Sequence, residues 1–153
     1  MMSKLVFRQA QRSDLETLVT MLADDSLGQQ RENASLPLAA TYLQAFAAIA
    51  ADPNQELTLA CQSEQIVGML QLTFIPYLTY QGSWRCQVEG VRVAGSARGQ
   101  GIGKQLLSYA IERATARQCH LLQLTSDKQR PDALRFYESL GFVASHEGFK
   151  LKL

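Results

Sequence analysis

Apolar positions along this chain change period several times, and each change marks an element. Leu5-Val6-Phe7-Arg8 reads as a short strand. Leu15, Leu18, Val19 and Leu22 then recur at helical spacing, after the capping-box order Ser13-Asp14-Leu15-Glu16. Asp24 to Ala34 is polar and aperiodic, which predicts a loop, either a solvated connection or part of a substrate entrance. Ser35 is placed to cap a second helix carrying Leu38, Tyr42, Ala45, Phe46, Ile49 and Ala50, and Asp52-Pro53-Asn54 stops it. Strand patterns over Glu56–Gln62 and Gln65–Phe74, with Ser63-Glu64 between them, predict a hairpin.

The connector Ile75 to Arg85 is aromatic, with Tyr77, Tyr80 and Trp84. These rings either meet a ligand or second subunit, or cover the sheet edge. Pro76 can break pairing locally. A β-branched strand ending at Val91-Arg92-Val93 follows, and a helix runs from Ile102 through Leu106, Leu107, Ala110, Ile111 and Ala114. His120–Thr125 has the pattern of a buried strand. Strand, crossover helix and strand imply a parallel pair. Pro131 and Gly141 bracket a further helix as first residue and stop. Gly141–Ala144 and Gly148–Leu153 read as two short closing strands.

A chain of 153 residues without repeat or linker predicts one α/β domain over 1–153. The net charge of +1 argues against a nucleic-acid partner held by phosphate contacts. Three scattered cysteines (Cys61, Cys86 and Cys119) make neither a disulfide framework nor a zinc site. His120 and His146 have no clustered ligands beside them, so no metal is expected. Met1-Met2-Ser3-Lys4 leads straight into a strand, without the apolar run of a signal peptide or membrane span, so a cytoplasmic location is expected.

The chemistry concentrates where the central strand turns into its helix, at Arg98-Gly99-Gln100-Gly101-Ile102-Gly103-Lys104. Glycines, free N–H groups and a helix N-terminus make an anion cradle. Gly103-Lys104 is followed by Gln105, with Arg98 where a Walker loop needs its first Gly, and Lys104 stands where a dinucleotide fingerprint needs its third Gly. What remains, Arg-Gly-x-Gly-Ile-Gly after Val-x-Val, resembles the acetyl-CoA loop of the GCN5-related N-acetyltransferases (GNAT). Downstream, Ala133-Leu134-Arg135-Phe136-Tyr137-Glu138-Ser139-Leu140-Gly141-Phe142 resembles the same family's second segment, in order and at the expected distance. Within the family, the stretch Ser126 to Tyr137 is similar to aminoalkylphosphonate N-acetyltransferases. Many members carry Asn where this chain has Arg130, a residue able to pair with a CoA phosphate.

The resemblance implies a single-domain fold with a mixed, mostly antiparallel sheet, a parallel pair at the cofactor site and about four flanking helices. It implies acetyl-CoA as co-substrate and transfer of acetyl to a primary amine of a small molecule, or to a free amino group, by direct attack on the thioester; charge and hydropathy predict no nucleic-acid or membrane partner. Val91, Arg92 and Val93 would pair with the pantetheine arm, the loop from Arg98 through Gly99, Gln100, Gly101, Ile102 and Gly103 to Lys104 would hold the pyrophosphate, and Arg130, Ala133, Phe136 and Tyr137 would complete the site. Tyr137 is the expected acid for the leaving thiolate. The family's basic Glu falls here at Gln87, which cannot accept a proton, so Glu89 is the substitute, unless it serves as an ion pair with Arg85 or Arg92. Strand alternation puts Gln87, Glu89, Val91 and Val93 on one face, and a bulge at Gly90 would shift that. The alternative is a non-catalytic acyl-CoA-binding or regulatory module; a toxin-like enzyme acting on charged tRNA is disfavoured by the near-neutral charge. The aromatic connector and the closing strands offer two surfaces for a homodimer.

Overall fold

Backbone pairing in the computed structural model, which describes residues 4–130 and 132–153, builds a five-stranded sheet in the order β1-β2-β3-β4-β5. The strands are β1 Val6–Gln9, β2 Gln55–Gln62, β3 Gln65–Pro76, β4 Trp84–Val93 and β5 Leu121–Gln123. The first four run antiparallel in sequence, and β4 and β5 are parallel. The helical segments are α1 Leu15–Leu22, α2 Ser26–Arg31, α3 Ala40–Ala51, α4 Thr79–Gly82, α5 Ile102–Ala116 and α6 Ala133–Ser139. Two compact units result, Met1–Gln123 with the whole sheet and Leu124–Leu153 with α6. The mixed, mostly antiparallel α/β sheet and its parallel pair are as the sequence predicts.

The two faces of the sheet differ in what covers them. Register places Leu70, Leu72 and Phe74 of β3 with Cys86 and Val88 of β4 on one face. All are buried, as are Ile102, Leu106, Leu107, Ala110 and Ala114 of α5, the helix seated there. Each such fully buried Leu or Phe contributes about 1.5–3 kcal/mol. Gly68 sets how closely α5 sits, because a Cβ there would lie 2.9 Å from Leu106 Cδ1 and 3.3 Å from Ile102 Cγ2. On the opposite face Leu18 and Met21 of α1 pack with Leu59, Cys61 and Met69.

Several local expectations are corrected. Ser13 does not cap α1; Asp14 accepts from the Gln11 N–H at 2.7 Å and from both Arg8 guanidinium nitrogens at 2.8 and 3.0 Å. The doubly bonded carboxylate outcompetes a hydroxyl for that turn. The aperiodic Asp24–Ala34 stretch contains α2, whose N-cap Asp25 accepts from the Gly28 N–H. Ser35 caps nothing, since α3 begins at Ala40. Pro76 ends β3 without breaking its pairing with Trp84. The Pro131 start lies outside the described residues, but Gly141 stops α6 at φ +94°, with Phe142 N–H bonded to Tyr137 O and Gly141 N–H to Glu138 O. Neither closing strand forms: residues 142–153 have no ladder, and Val143, Phe149, Leu151 and Leu153 are exposed. Alternation alone cannot make a strand without a partner backbone.

Candidate active site

The site begins at a bulge in β4. Gln71 pairs with Glu89 and Met69 with Arg92, so Gly90 and Val91 together stand opposite Leu70. Gly90 adopts φ +61°, the left-handed geometry that a glycine supplies at such bulges. The extra residue corrects the face assignment. Arg85, Gln87, Glu89 and Arg92 share the α1 face, while Val93 pairs with Gly68 on the α5 face; Val91 and Val93 do not continue the line of Glu89.

Glu89 is exposed and, among the described residues, has neither hydrogen-bond nor ion-pair partner. The two arginines proposed as its structural partners are placed elsewhere: Arg85 lies over the Tyr77 ring at 4.4 Å, and Arg92 donates to Val91 O at 2.9 Å. Gln87 instead accepts from Gln123 Nε2 at 2.7 Å. That amide contact closes the parallel pairing, which covers only Arg85–Gln87 of β4. From Val88 onward no strand pairs the outer side of β4 among the described residues. An extended ligand could add there as a strand does.

Beyond Val93 the backbone makes a short turn over Gly95–Ala97 and reaches the cradle. Gly99 at φ +80° and Gly101 at φ +75° bend it so that Gly101 caps α5 directly. No atom of the described residues lies within 4 Å of a Cβ built at either glycine, so the loop opens outward from them. The N–H groups of Ile102, Gly103 and Lys104 precede the first intrahelical bond, Gln105 N–H to Gly101 O. These donors at the positive end of a 15-residue helix fit a pyrophosphate. Lys104 and Gln100 are exposed beside them. Arg98 pairs with Asp24 at 3.4 Å, both side chains more than half exposed, an interaction worth well under about 1 kcal/mol.

In the second unit, Tyr137 meets Phe136 and Phe142 edge-on, at ring separations of 5.2 and 5.7 Å. Ala133 starts α6 through a bond to Arg130 O, and Arg130 N–H is held by Asp127 O. The aromatic connector packs on itself: Tyr77, Tyr80 and His120 have ring separations of 5.2–5.7 Å, and the Tyr77 hydroxyl pairs with His120 Nε2. No metal-ligating group of three or more is found among the described residues. A hollow of about 510 Å³ between Phe46, Ile49, Leu57, Tyr109 and Arg113 is lined by none of the candidate residues.

Comparison with known proteins defines the class. A sequence model of the Acetyltransferase (GNAT) family matches residues 19–142. The chain therefore belongs to the GNAT acetyltransferase family, and by class it is an N-acetyltransferase. Among relatives, it is 34% identical over 108 residues to an aminoalkylphosphonate N-acetyltransferase from Salmonella typhimurium, covering 71% of this chain and 70% of that one. It is 35% identical over 89 residues to a glucosamine 6-phosphate N-acetyltransferase from Trypanosoma brucei brucei, covering 58% of each. The solved structure of a transcriptional regulator from Bacillus halodurans C-125 is 61% identical and superimposes with a TM-score of 0.95, covering 98% of this chain and 100% of that one. No described helix is long and apolar enough to cross a membrane.

Proposed function

We propose that this protein transfers acetyl from acetyl-CoA to the primary amine of a small molecule, with Glu89 as base and Tyr137 as acid. The observation that carries the reading is Glu89 itself, an exposed carboxylate without partner among the described residues, beside a stretch of β4 that none of them pairs and that leads into an anion cradle. The two N-acetyltransferase relatives support a small amine acceptor.

Acetyl-CoA would supply an activated thioester carbonyl. The N–H groups from Arg98 to Lys104 would hold its pyrophosphate, and the backbone of Val91–Val93 its pantetheine amides. Arg98 gives up only a weak surface pair to reach a phosphate. Arg130 adds a cation on the second unit, with Ala133 and Phe136 shaping the start of α6. An amine arrives as ammonium, with an ordinary pKa of about 10, so it must lose a proton before attack. Glu89 takes that proton, directly or through water. A backbone N–H near Val91 stabilises the developing oxyanion. Tyr137 O–H donates to the sulfur as the thiolate leaves, and the second proton shed by the acylated nitrogen restores the phenol.

Thiol release over a panel of amines tests this. We expect Glu89→Gln to lower kcat about 10²- to 10³-fold. Tyr137→Phe should lower kcat with unchanged acetyl-CoA affinity. Turnover with no amine, or wild-type rates in both variants, would sink the proposal. The 61% identity to a transcriptional regulator favours a second reading, a module that reports acyl-CoA binding without turnover. Calorimetry separates the two: that module binds acetyl-CoA and releases no thiol.

A further inference from the structure

The α1 face of the sheet carries a polar row that the catalytic scheme does not use. Gln55 pairs in register with Thr73, Thr73 with Gln87, and Gln87 with Gln123. Four strands thus present three amides and a hydroxyl in one line, with Gln71 and Glu89 paired in the adjoining row. All of these side chains except Glu89 are half-buried. Such a row in the middle of a sheet face is costly to leave dry.

The hydrogen bonds within it leave a defined remainder. Gln55 Oε1 accepts from Gln71 Nε2 at 2.9 Å and from Thr73 Oγ1 at 3.0 Å, and Gln87 Oε1 accepts from Gln123 Nε2 at 2.7 Å. The Gln55 and Gln87 amino groups therefore keep both N–H donors, and the Gln71 and Gln123 oxygens keep their acceptor capacity. None of these atoms has another partner among the described residues. Donors and acceptors alternate along the row, which itself carries no charge; of the two arginines on the same face, Arg85 lies over the Tyr77 ring at 4.4 Å and Arg92 donates to Val91 O at 2.9 Å. A phosphate or phosphonate offers only acceptors and calls for cations. A hydroxyl group both donates and accepts, so an array of hydroxyls matches what the row leaves unspent.

We infer that Gln55, Thr73, Gln87 and Gln123 form a specificity floor that selects a hydroxyl-rich amine bearing no phosphate or phosphonate, its amino group directed toward Glu89. This rests on the acetyl-transfer reading for the role of Glu89, though not for the binding itself. A floor built to bond hydroxyls rejects analogues that lack them, because its amides would be left unpaired.

The test uses the full chain, acetyl-CoA and three amine probes: glucosamine, hexylamine and 2-aminoethylphosphonate. We expect glucosamine to have the highest kcat/KM. Thr73→Val and Gln55→Leu should each raise KM for glucosamine at least tenfold while changing KM for hexylamine less than twofold, and Thr73→Ser should restore it. Thermal melts check that the variants fold, and Gln123→Leu, at the margin of the sheet, gives an independent readout. A higher kcat/KM for hexylamine or 2-aminoethylphosphonate overturns the inference, and so does an equal KM rise for glucosamine and hexylamine. If no amine releases thiol, the acetyl-transfer reading fails separately. Calorimetry with glucosamine then decides: weaker binding by Thr73→Val than by wild type supports the floor, and unchanged binding overturns it.

Discussion

Gly68→Ala places one methyl group where α5 is closest to the sheet. The new Cβ would stand 2.9 Å from Leu106 Cδ1, 3.3 Å from Ile102 Cγ2 and 3.4 Å from Ala60 Cβ. Ordinary carbon contacts lie at about 3.5–4.0 Å, so Leu106 must retreat by roughly 0.6–1 Å. It is fully buried, in an interior of the kind that packs with few voids. Overpacking of this kind costs about 1–3 kcal/mol. The backbone at 68 is not left-handed, so Ala itself adds no strain, and the stiffer unfolded chain returns about 0.4–1 kcal/mol. A net loss of roughly 0–2.6 kcal/mol, at about 2–4 °C per kcal/mol for a chain of this size, predicts a Tm drop of up to ~10 °C. Ile102 opens α5 directly after the cradle, so acetyl-CoA affinity should fall with it. A double-mutant cycle with Leu106→Ala sharpens the test. Alone, Leu106→Ala should cost about 2–5 kcal/mol. On that background the methyl enters a cavity, and Gly68→Ala should be neutral or stabilising. Equal cost on both backgrounds would refute the close-approach argument.

Other expectations follow from charge and burial. The Arg8 guanidinium holds the Asp14 carboxyl below its ordinary range, so Asp14 stabilises the fold above its unfolded pKa and loses this as pH falls through the folded one. Asp14→Asn should flatten the acid limb of a stability–pH curve; with Arg8 partly exposed, the effect at neutral pH is about 1 kcal/mol. Burial pushes the Cys86 thiol up to about 12 and raises Cys119 as well, while Cys61 is buried. A disulfide reagent at pH 8 should label at most one thiol in the native protein and all three in denaturant. Glu56 accepts two bonds from Arg113, at 3.0 and 2.6 Å and partly buried, so Glu56→Gln should lower the melting temperature by several degrees.

The central strand, its glycine loop and α5 were legible because three signals coincide there: β-branched residues, glycines that require positive φ, and helical spacing from Ile102. α2 was hidden because Ser26–Arg31 has too few apolar residues to show a period and is held by the single Asp25 cap. The start of α3 was misjudged because Ser35 imitates a cap that the backbone does not use. The closing strands were overread, since Phe149, Leu151 and Leu153 alternate well but meet no ladder. At the site, Glu89 was chosen as the candidate base from its place near the cradle, yet its face neighbours were wrong because Gly90 interrupts the alternation. The amide row had a signal too. Gln71 and Thr73, then Gln87 and Glu89, stand at alternate polar positions inside otherwise apolar strands. Only the register between strands turns those separate alternations into one line.

The bulge at Gly90 also bears on how this chain can change in length. Because Gly90 and Val91 together face Leu70, β4 contains one residue more than its pairing requires. Losing that residue would leave Arg92 on the α1 face and Val93 on the α5 face, since the remaining strand simply alternates. Only the local bend would go, and with it the turn of the backbone toward the cradle. Elsewhere in the paired part of β4 a one-residue deletion would reverse every side chain on one side of it. Within β4 this is the position where descendants of this gene can differ in length by one codon without turning the strand inside out.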